Sequence, residues 1–418
     1  MRILIYGINY SPEVAGVGKY TGEMADWLAS RGHEIQVVTA HPYYPQWRVF
    51  KGYSAWTYRV EQVHQIPVLR CPLWVPSRLT ALNRIIHLIS FALSSGPIAV
   101  WKSLTWRPQI VFVLQPALLC TPAAWLASRL CKAKLWMHVQ DFELDAALEL
   151  GLLKNKILRR FLQAFERFWM RRLDKASTIS DHMFEHLLRK GVPAADRVML
   201  RNWVDTFRIC PAASPSPFRR QLKLFDDVVA LYSGNMGRKQ GLEYLIEAAG
   251  HLKDHRHIKI ILAGDGSMRA ALTTLARPHA NILFLPLQPA ELLNDLLNLA
   301  DIHLLLQLPR TSDFVMPSKL TGMFASGRPT IATALPDSEI AGVIEGCGVI
   351  VAPENSHALA AAILKMAEET DARRRLGLRA REVAVSLWDK QNILDEFEGH
   401  LVKRPLLKPI KSYAPSAR

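Results

Sequence analysis

The sequence predicts an α/β chain of two doubly wound, Rossmann-like domains facing across a cleft. Three observations predict it. The chain opens as strand, glycine loop, helix, strand. The same alternation restarts after a proline-rich stretch near the middle. At 418 residues, half of them hydrophobic, the chain holds two cores of about 200 residues each.

Met1–Tyr6 is a short apolar run, followed by Gly7-Ile8-Asn9-Tyr10-Ser11-Pro12 and then Gly16-Val17-Gly18. Met24, Trp27 and Leu28 recur at helical spacing, and Ile35–Thr39 is the second apolar run. Such a unit aims backbone N–H groups at one point, which makes Gly16 and Gly18 candidates for a phosphate. The glycines lie ten residues past the strand, so the G-x-G-x-x-G fingerprint of a hydride-transfer domain is absent. Ile110–Leu114 is expected as a strand, Pro116–Leu130 as a helix, and Ala133–Val139 and Ala176–Ser180 as strands, with a helix from near Asp181. Val198–Leu200 is a short strand leading to Asn202-Trp203-Val204-Asp205.

Pro211, Ser214, Pro215, Ser216 and Pro217 then crowd together and read as a linker. After it the expected strands are Val228–Tyr232, Ile258–Ala263, Ile282–Leu285, Ile302–Leu306, Pro329–Ala332 and Gly348–Val351. The expected division is a first domain over 1–205, a linker over 206–221 and a second domain over 222–385. A C-terminal helix and basic tail, 386–418, would return to the first domain.

The net charge of +15 is uneven. Residues 1–210 hold 27 Lys/Arg against 15 Asp/Glu, and residues 211–418 hold 25 against 22. The first half should therefore meet an anionic partner. No helix-turn-helix, RNP-type or zinc-finger pattern points to nucleic acid. Five scattered cysteines without C-x-x-C point to neither disulfides nor zinc, and fit a reducing cytosol. No signal peptide is expected ahead of the first strand.

Two segments of the basic half read as membrane-directed. Residues 85–101 carry no Lys, Arg, Asp or Glu, and basic residues and Trp101 and Trp106 flank them. Ser94-Ser95-Gly96-Pro97 breaks the run, so an in-plane or partly inserted helical pair is expected over 78–107. Residues 154–175 hold eight basic and two acidic residues, with Ile157, Phe161, Ala164, Phe165, Phe168 and Trp169 between them. That is a basic amphipathic helix suited to an anionic membrane surface. A core helix with a basic outer face has the same pattern.

The second half carries sharper chemistry. Gly234-Asn235-Met236-Gly237-Arg238-Lys239-Gln240-Gly241 follows a strand and precedes a helix, a cradle for a diphosphate with two cations. Gly264-Asp265-Gly266 ends the next strand, where backbone can approach a base or ribose. Ser318 is a candidate helix cap, and Lys319 falls in the first turn. A cation there opposes the helix dipole unless an anion joins it, which favours Lys319 as a phosphate ligand.

These motifs in order resemble retaining glycosyltransferases of family 4, with the GT-B fold, over nearly the whole chain. Arg31-Gly32-His33-Glu34-Ile35 is similar to the family's RGHEV strand, and Asn202-Trp203-Val204-Asp205 to its NGVD step. Within the family the chain most resembles the colanic-acid fucosyltransferase group, through Tyr6–Glu13, Pro42–Trp47, Ser90–Ser95 and Gln240–Glu243. The resemblance implies a GDP-fucose donor and a polyprenyl-diphosphate-linked oligosaccharide acceptor. It places the enzyme peripherally at the inner face of the cytoplasmic membrane.

The family's E-x7-E pattern falls on Phe314 and Gly322, leaving Asp313 as the nearby acid, and its HD pair reads Gln140-Asp141, with His138 two residues earlier. The loop arginine and lysine fall on Asn235 and Gln240, with Arg238 and Lys239 beside them.

The implied mechanism stabilises a departing diphosphate with Arg238, Lys239, Ser318, Lys319 and the Gly16 and Gly18 backbone. Gly234, Asn235, Gly264, Asp265, Gly266 and Asp313 would hold the nucleotide. Asp141 or His138 would orient sugar or acceptor, each being equally readable as a cap or packed polar group. Glu13 is an acceptor-side candidate. Tyr43-Tyr44-Pro45-Gln46-Trp47 would stack on sugar or pack in the core. No D-x-D triplet occurs, and no metal or other cofactor is expected. A nucleotide-sugar 2-epimerase and a non-catalytic membrane-associated partner on the same fold are the alternatives.

Overall fold

The computed structural model describes residues 1–402 apart from 79, 117, 143, 146–154 and 310–315. The chain divides into two compact units, Met1–Arg201 with a return from Phe397, and Asn202–Glu396.

In the first unit eight strands form one sheet: β1 Arg2–Tyr6, β2 Glu34–Ala40, β3 Arg59–Val63, β4 Ile66–Cys71, β5 Ile110–Gln115, β6 Lys134–Val139, β7 Lys175–Thr178 and β8 Arg197–Met199. Their order is β3-β4-β2-β1-β5-β6-β7-β8. All six residues of β5 are buried, as are Ile3–Tyr6 of β1. Covered on both faces, these strands read as unbroken apolar runs.

The pair β3–β4 is antiparallel, and its edge strand β3 carries no such run. Its edge strand RVEQV is mostly polar, and its turn rests on His64 and Gln65 at positive φ. Both turn residues in the left-handed region match the twist of a two-residue hairpin.

Helix α1 is Gly16–Ser30, α2 is Ala81–Trp106 and α3 is Thr121–Cys131. The expected pair over 85–101 is one helix, α2, running through Pro97. Pro97 leaves the Leu93 carbonyl without its helical donor. Leu93 is 72% exposed, so water can take that bond. Gly96 lets α3 approach, since a Cβ there would meet Ala123 at 3.2 Å. Leu82–Trp106 is long and apolar enough to cross a membrane by length and composition.

The expected amphipathic helix is Lys156–Met170, capped by Asn155. Its inner side is held by Glu166, which is buried and accepts from Lys190. Ile157, Phe161 and Phe168 on this helix are exposed.

In the second unit six parallel strands, β9 Val228–Ser233, β10 Ile258–Ala263, β11 Ile282–Leu285, β12 Ile302–Leu305, β13 Thr330–Thr333 and β14 Gly348–Val351, lie in the order β11-β10-β9-β12-β13-β14. Residues 206–221, read as a linker, belong to this unit. Its prolines cannot donate to a ladder, but two of its other backbone N–H groups are taken by side chains elsewhere in the unit. Cys210 N–H donates to Asn294 Oδ1 (3.0 Å), Ala212 N–H donates to Asn298 Oδ1 (2.9 Å), and Phe218 is buried.

The last two helices are Thr370–Leu387 and Lys390–Val402. Phe397 packs edge-on against Phe112 and Trp136 of the first unit, and Glu398 pairs with His33 and Arg31.

Candidate active site

In an open parallel sheet, ligands settle where the strand order reverses, beyond the carboxyl ends of the strands. In the second unit that point lies between β9 and β12. The loop after β9 is the glycine loop Gly234–Gly241. The segment after β12 leads to the helix Lys319–Ala325.

The glycine loop is fixed by the end of β10. Gly234 N–H donates to Ala263 O (2.9 Å), Met236 N–H donates to Asp265 O (2.8 Å), and Met268 N–H donates to Met236 O (2.9 Å). The Tyr232 hydroxyl donates to Asn235 O (2.6 Å). At Gly264 (φ +139°) a Cβ would sit 2.1 Å from Gly234 O, so the two loops touch backbone to backbone. Gly266 meets Met236 O in the same way at 2.5 Å. Asp265 is exposed, and its Oδ1 accepts from Gly266 N–H. Arg238, Lys239 and Asn235 are exposed along the loop.

Lys319 completes this group. Its ammonium stands 4.3 Å from the Tyr232 ring centroid, and its stem lies beside Gly234. It makes no ion pair among the described residues. Burial pushes its pKa down to about 7. A partly buried cation at a helix start, beside a glycine loop and with no counter-ion among the described residues, is poised for an anion.

Ser318 does not cap that helix. Its backbone is helical (φ −58°, ψ −23°) rather than extended, and its side chain makes no cap bond. Asp313 lies outside the described residues.

The first unit's reversal lies between β1 and β5. The loop from Gly7 to Ala15 leads into α1, whose N-terminus has no side-chain cap and no acidic residue in its first turn. Gly16 opens it at φ +60°. Gly18 serves packing as much as any ligand: a Cβ there would meet Glu13 Oε2 at 2.7 Å.

Glu13 is buried and fully engaged. Oε1 accepts from the N–H groups of Tyr43 and Tyr44, both at 2.9 Å, and Oε2 accepts from Asn9 Nδ2 at 2.9 Å. Burial pushes its carboxyl up, against the pull of those donors. It is therefore placed as a strut between two loops, and not as a group facing an acceptor. Arg70, fully buried, supports the same loop by donating to Ser11 O, Ala40 O and Glu61.

His138 is likewise interior. Its Nδ1 lies 3.0 Å from Ser177 Oγ, its Nε2 3.1 Å from Gln140 Nε2, and its ring stacks on Phe112. Burial pushes its pKa down to about 3, so it stays neutral and moves no proton near pH 7. Asp141, half-buried just past β6, is the predicted catalytic group in this unit that remains near the surface.

Gln115 went unnoticed in the sequence. It ends β5 at the reversal, fully buried, and its amide has no partner among the described residues. The available signal was a polar residue closing the apolar run IVFVL. No group of three His, Cys, Asp or Glu placed to hold a metal occurs among the described residues.

Comparison with known proteins gives the family and the fold. Residues 15–203 match the glycosyl transferase 4-like domain, and residues 227–369 match the glycosyl transferases group 1 domain. A protein of Escherichia coli K12 named as the colanic acid biosynthesis glycosyl transferase WcaI is 41% identical over 95% of this chain and 98% of its own length. Among solved structures, sucrose-phosphate synthase of Thermosynechococcus elongatus superposes with a TM-score of 0.74 at 15% identity, covering 97% of this chain and 98% of that one. HepE of Anabaena in complex with UDP gives 0.71 at 16% identity, covering 96% and 100%. The chain belongs to the family 4 glycosyltransferases and has the GT-B fold.

Proposed function

We propose that this glycosyltransferase moves fucose from GDP-fucose, with retention, to a polyprenyl-diphosphate-linked oligosaccharide of a colanic-acid-like exopolysaccharide. The observation that carries the reading is Lys319, a cation beside Gly234 and over the Tyr232 ring at the reversal of the second sheet, with no ion pair among the described residues. Cleaving the donor loads negative charge onto the leaving diphosphate. Lys319, Arg238 and Lys239 would stabilise that charge in place. The departing phosphate would help take the proton of the acceptor hydroxyl. Asp141 would orient sugar or acceptor, while Glu13 and His138 hold the loops around it. The kinship with WcaI supports the exopolysaccharide assignment. The test is transfer of label from GDP-[14C]fucose into solvent-extractable lipid of exopolysaccharide-forming membranes. Label entering from GDP-mannose or UDP-glucose instead would overturn the donor.

A lipid-borne acceptor calls for a membrane-facing surface. In the first unit Leu82, Ile86, Ile89, Leu93, Trp101 and Leu104 of α2 are exposed. Ile157, Phe161 and Phe168 are exposed on the helix Lys156–Met170, among Arg159, Arg160 and Arg167. Apolar side chains ringed by arginine suit the headgroup boundary of an anionic bilayer, at the cytoplasmic face. Binding to vesicles with about one third anionic lipid is expected to weaken at least about tenfold in Phe161→Asp, and also in Arg159→Glu/Arg160→Glu. Co-sedimentation at low and high salt measures it. Equal binding by all forms would remove the membrane surface from the account.

A further inference from the structure

We propose that Tyr44 is the surface on which the acceptor saccharide stacks, and that Glu13 is the positioning residue that holds it there. The inference rests on the glycosyl-transfer reading above. Tyr44 is half-buried, and its ring lies against Gly16, where a Cβ would meet Cε1 at 3.3 Å. The ring therefore stands at the start of α1, beside the reversal of the first sheet. Its neighbour Tyr43 turns the other way and is buried. Tyr43 meets Trp47 (centroids 5.5 Å apart) and His87 of α2 (4.8 Å). The inner aromatics anchor the loop and leave Tyr44 for a ligand.

Glu13 sets this division. One carboxylate oxygen takes both the Tyr43 and the Tyr44 N–H, fixing the backbone at the point where the two rings diverge. The glycine at position 18 makes room for that carboxylate, since any side chain there would displace it. Two loops some thirty residues apart in sequence are thus joined by one buried charge. Sugar rings present C–H faces that pack on an aromatic face, and a rigid platform spends little entropy on binding.

The test compares steady-state kinetics with GDP-fucose as donor and farnesyl-diphosphate-linked glucose as acceptor, alongside hydrogen exchange of the 41–48 peptide. Tyr44→Ala is expected to raise the acceptor KM about tenfold while the donor KM holds. Tyr44→Phe keeps the ring and should restore the acceptor KM. Glu13→Ala should lose amide protection at Tyr43 and Tyr44 and raise the acceptor KM likewise. Glu13→Gln keeps an acceptor oxygen and should rescue both. An unchanged acceptor KM in Tyr44→Ala overturns the platform, and retained protection in Glu13→Ala overturns the strut. A wild type that hydrolyses GDP-fucose but never uses this acceptor overturns the acceptor assignment together with the platform. A wild type inert toward GDP-fucose strikes the donor reading instead, and the exchange result still decides the strut.

Discussion

Lys319→Met is expected to cost at least about a hundredfold in kcat/KM for the nucleotide-sugar donor, while leaving the fold intact. A charge-assisted contact to phosphate contributes about 1.5–3 kcal/mol, and more once the leaving group gains charge. Methionine keeps the stem against Tyr232 and Gly234 and removes only the ammonium. Stability should not fall. The folded-state pKa of about 7 lies below the unfolded value near 10.4. Between those values the unfolded chain holds more protons, so wild-type stability rises with pH in that window. Below pH 7 the penalty for the buried charge is fully present, and Lys319→Met removes it. Thermal melts from pH 6 to 10 should show the wild-type slope flattened in the variant. Donor binding needs the ammonium, so wild-type affinity should fall as pH rises above 7.

Gly264→Ala is expected to be severely damaging to the second unit. Its Cβ would sit 2.1 Å from Gly234 O at φ +139°, a backbone conformation that L side chains rarely adopt. One loop must move, and the loop that must move carries the proposed diphosphate cradle. The combined steric and backbone cost is about 3 kcal/mol or more, a drop in Tm on the order of 10 °C. Donor binding should be lost with it. Gly342→Ala is the control. It lies in the helix Glu339–Ile344 with open space around its Cβ position, and there alanine should be neutral or stabilising by up to about 1 kcal/mol. Calorimetric melts of the two variants decide this. Equal melting temperatures would mean that the two loops do not touch as described.

Both predictions concern residues that the sequence singles out, though for only part of the reason. Most strands of both sheets are legible as apolar runs, and three of them end in a glycine, at Tyr6-Gly7, Ser233-Gly234 and Ala263-Gly264. The β3–β4 hairpin is not, because an exposed edge strand such as RVEQV needs no apolar pattern. Residues 206–221 read as a linker because prolines mark an irregular path. Whether such a path is loose or pinned depends on Asn294 and Asn298, more than eighty residues away.

The candidate site divides in the same way. Lys319 and the glycine loop are visible locally, through helix-start and loop patterns. The depressed pKa of Lys319 arises from its burial, which no local pattern reports. Glu13 and Gly18 look like separate acid and phosphate signals five residues apart. In the fold they form one packing unit, with Glu13 serving Tyr43 and Tyr44. His138 has the residue type of a catalyst, but its place within β6 turns it inward to Ser177 and Gln140.

The most direct test of a diphosphate held by Lys319 is calorimetric titration of GDP at pH 8, in two buffers of different ionisation enthalpy, with Lys319→Met alongside. Wild-type binding is expected to take up close to one proton, because phosphate draws Lys319 back to its charged form, and the variant to take up none and bind far more weakly. Proton-neutral GDP binding of equal strength in both proteins would contradict it.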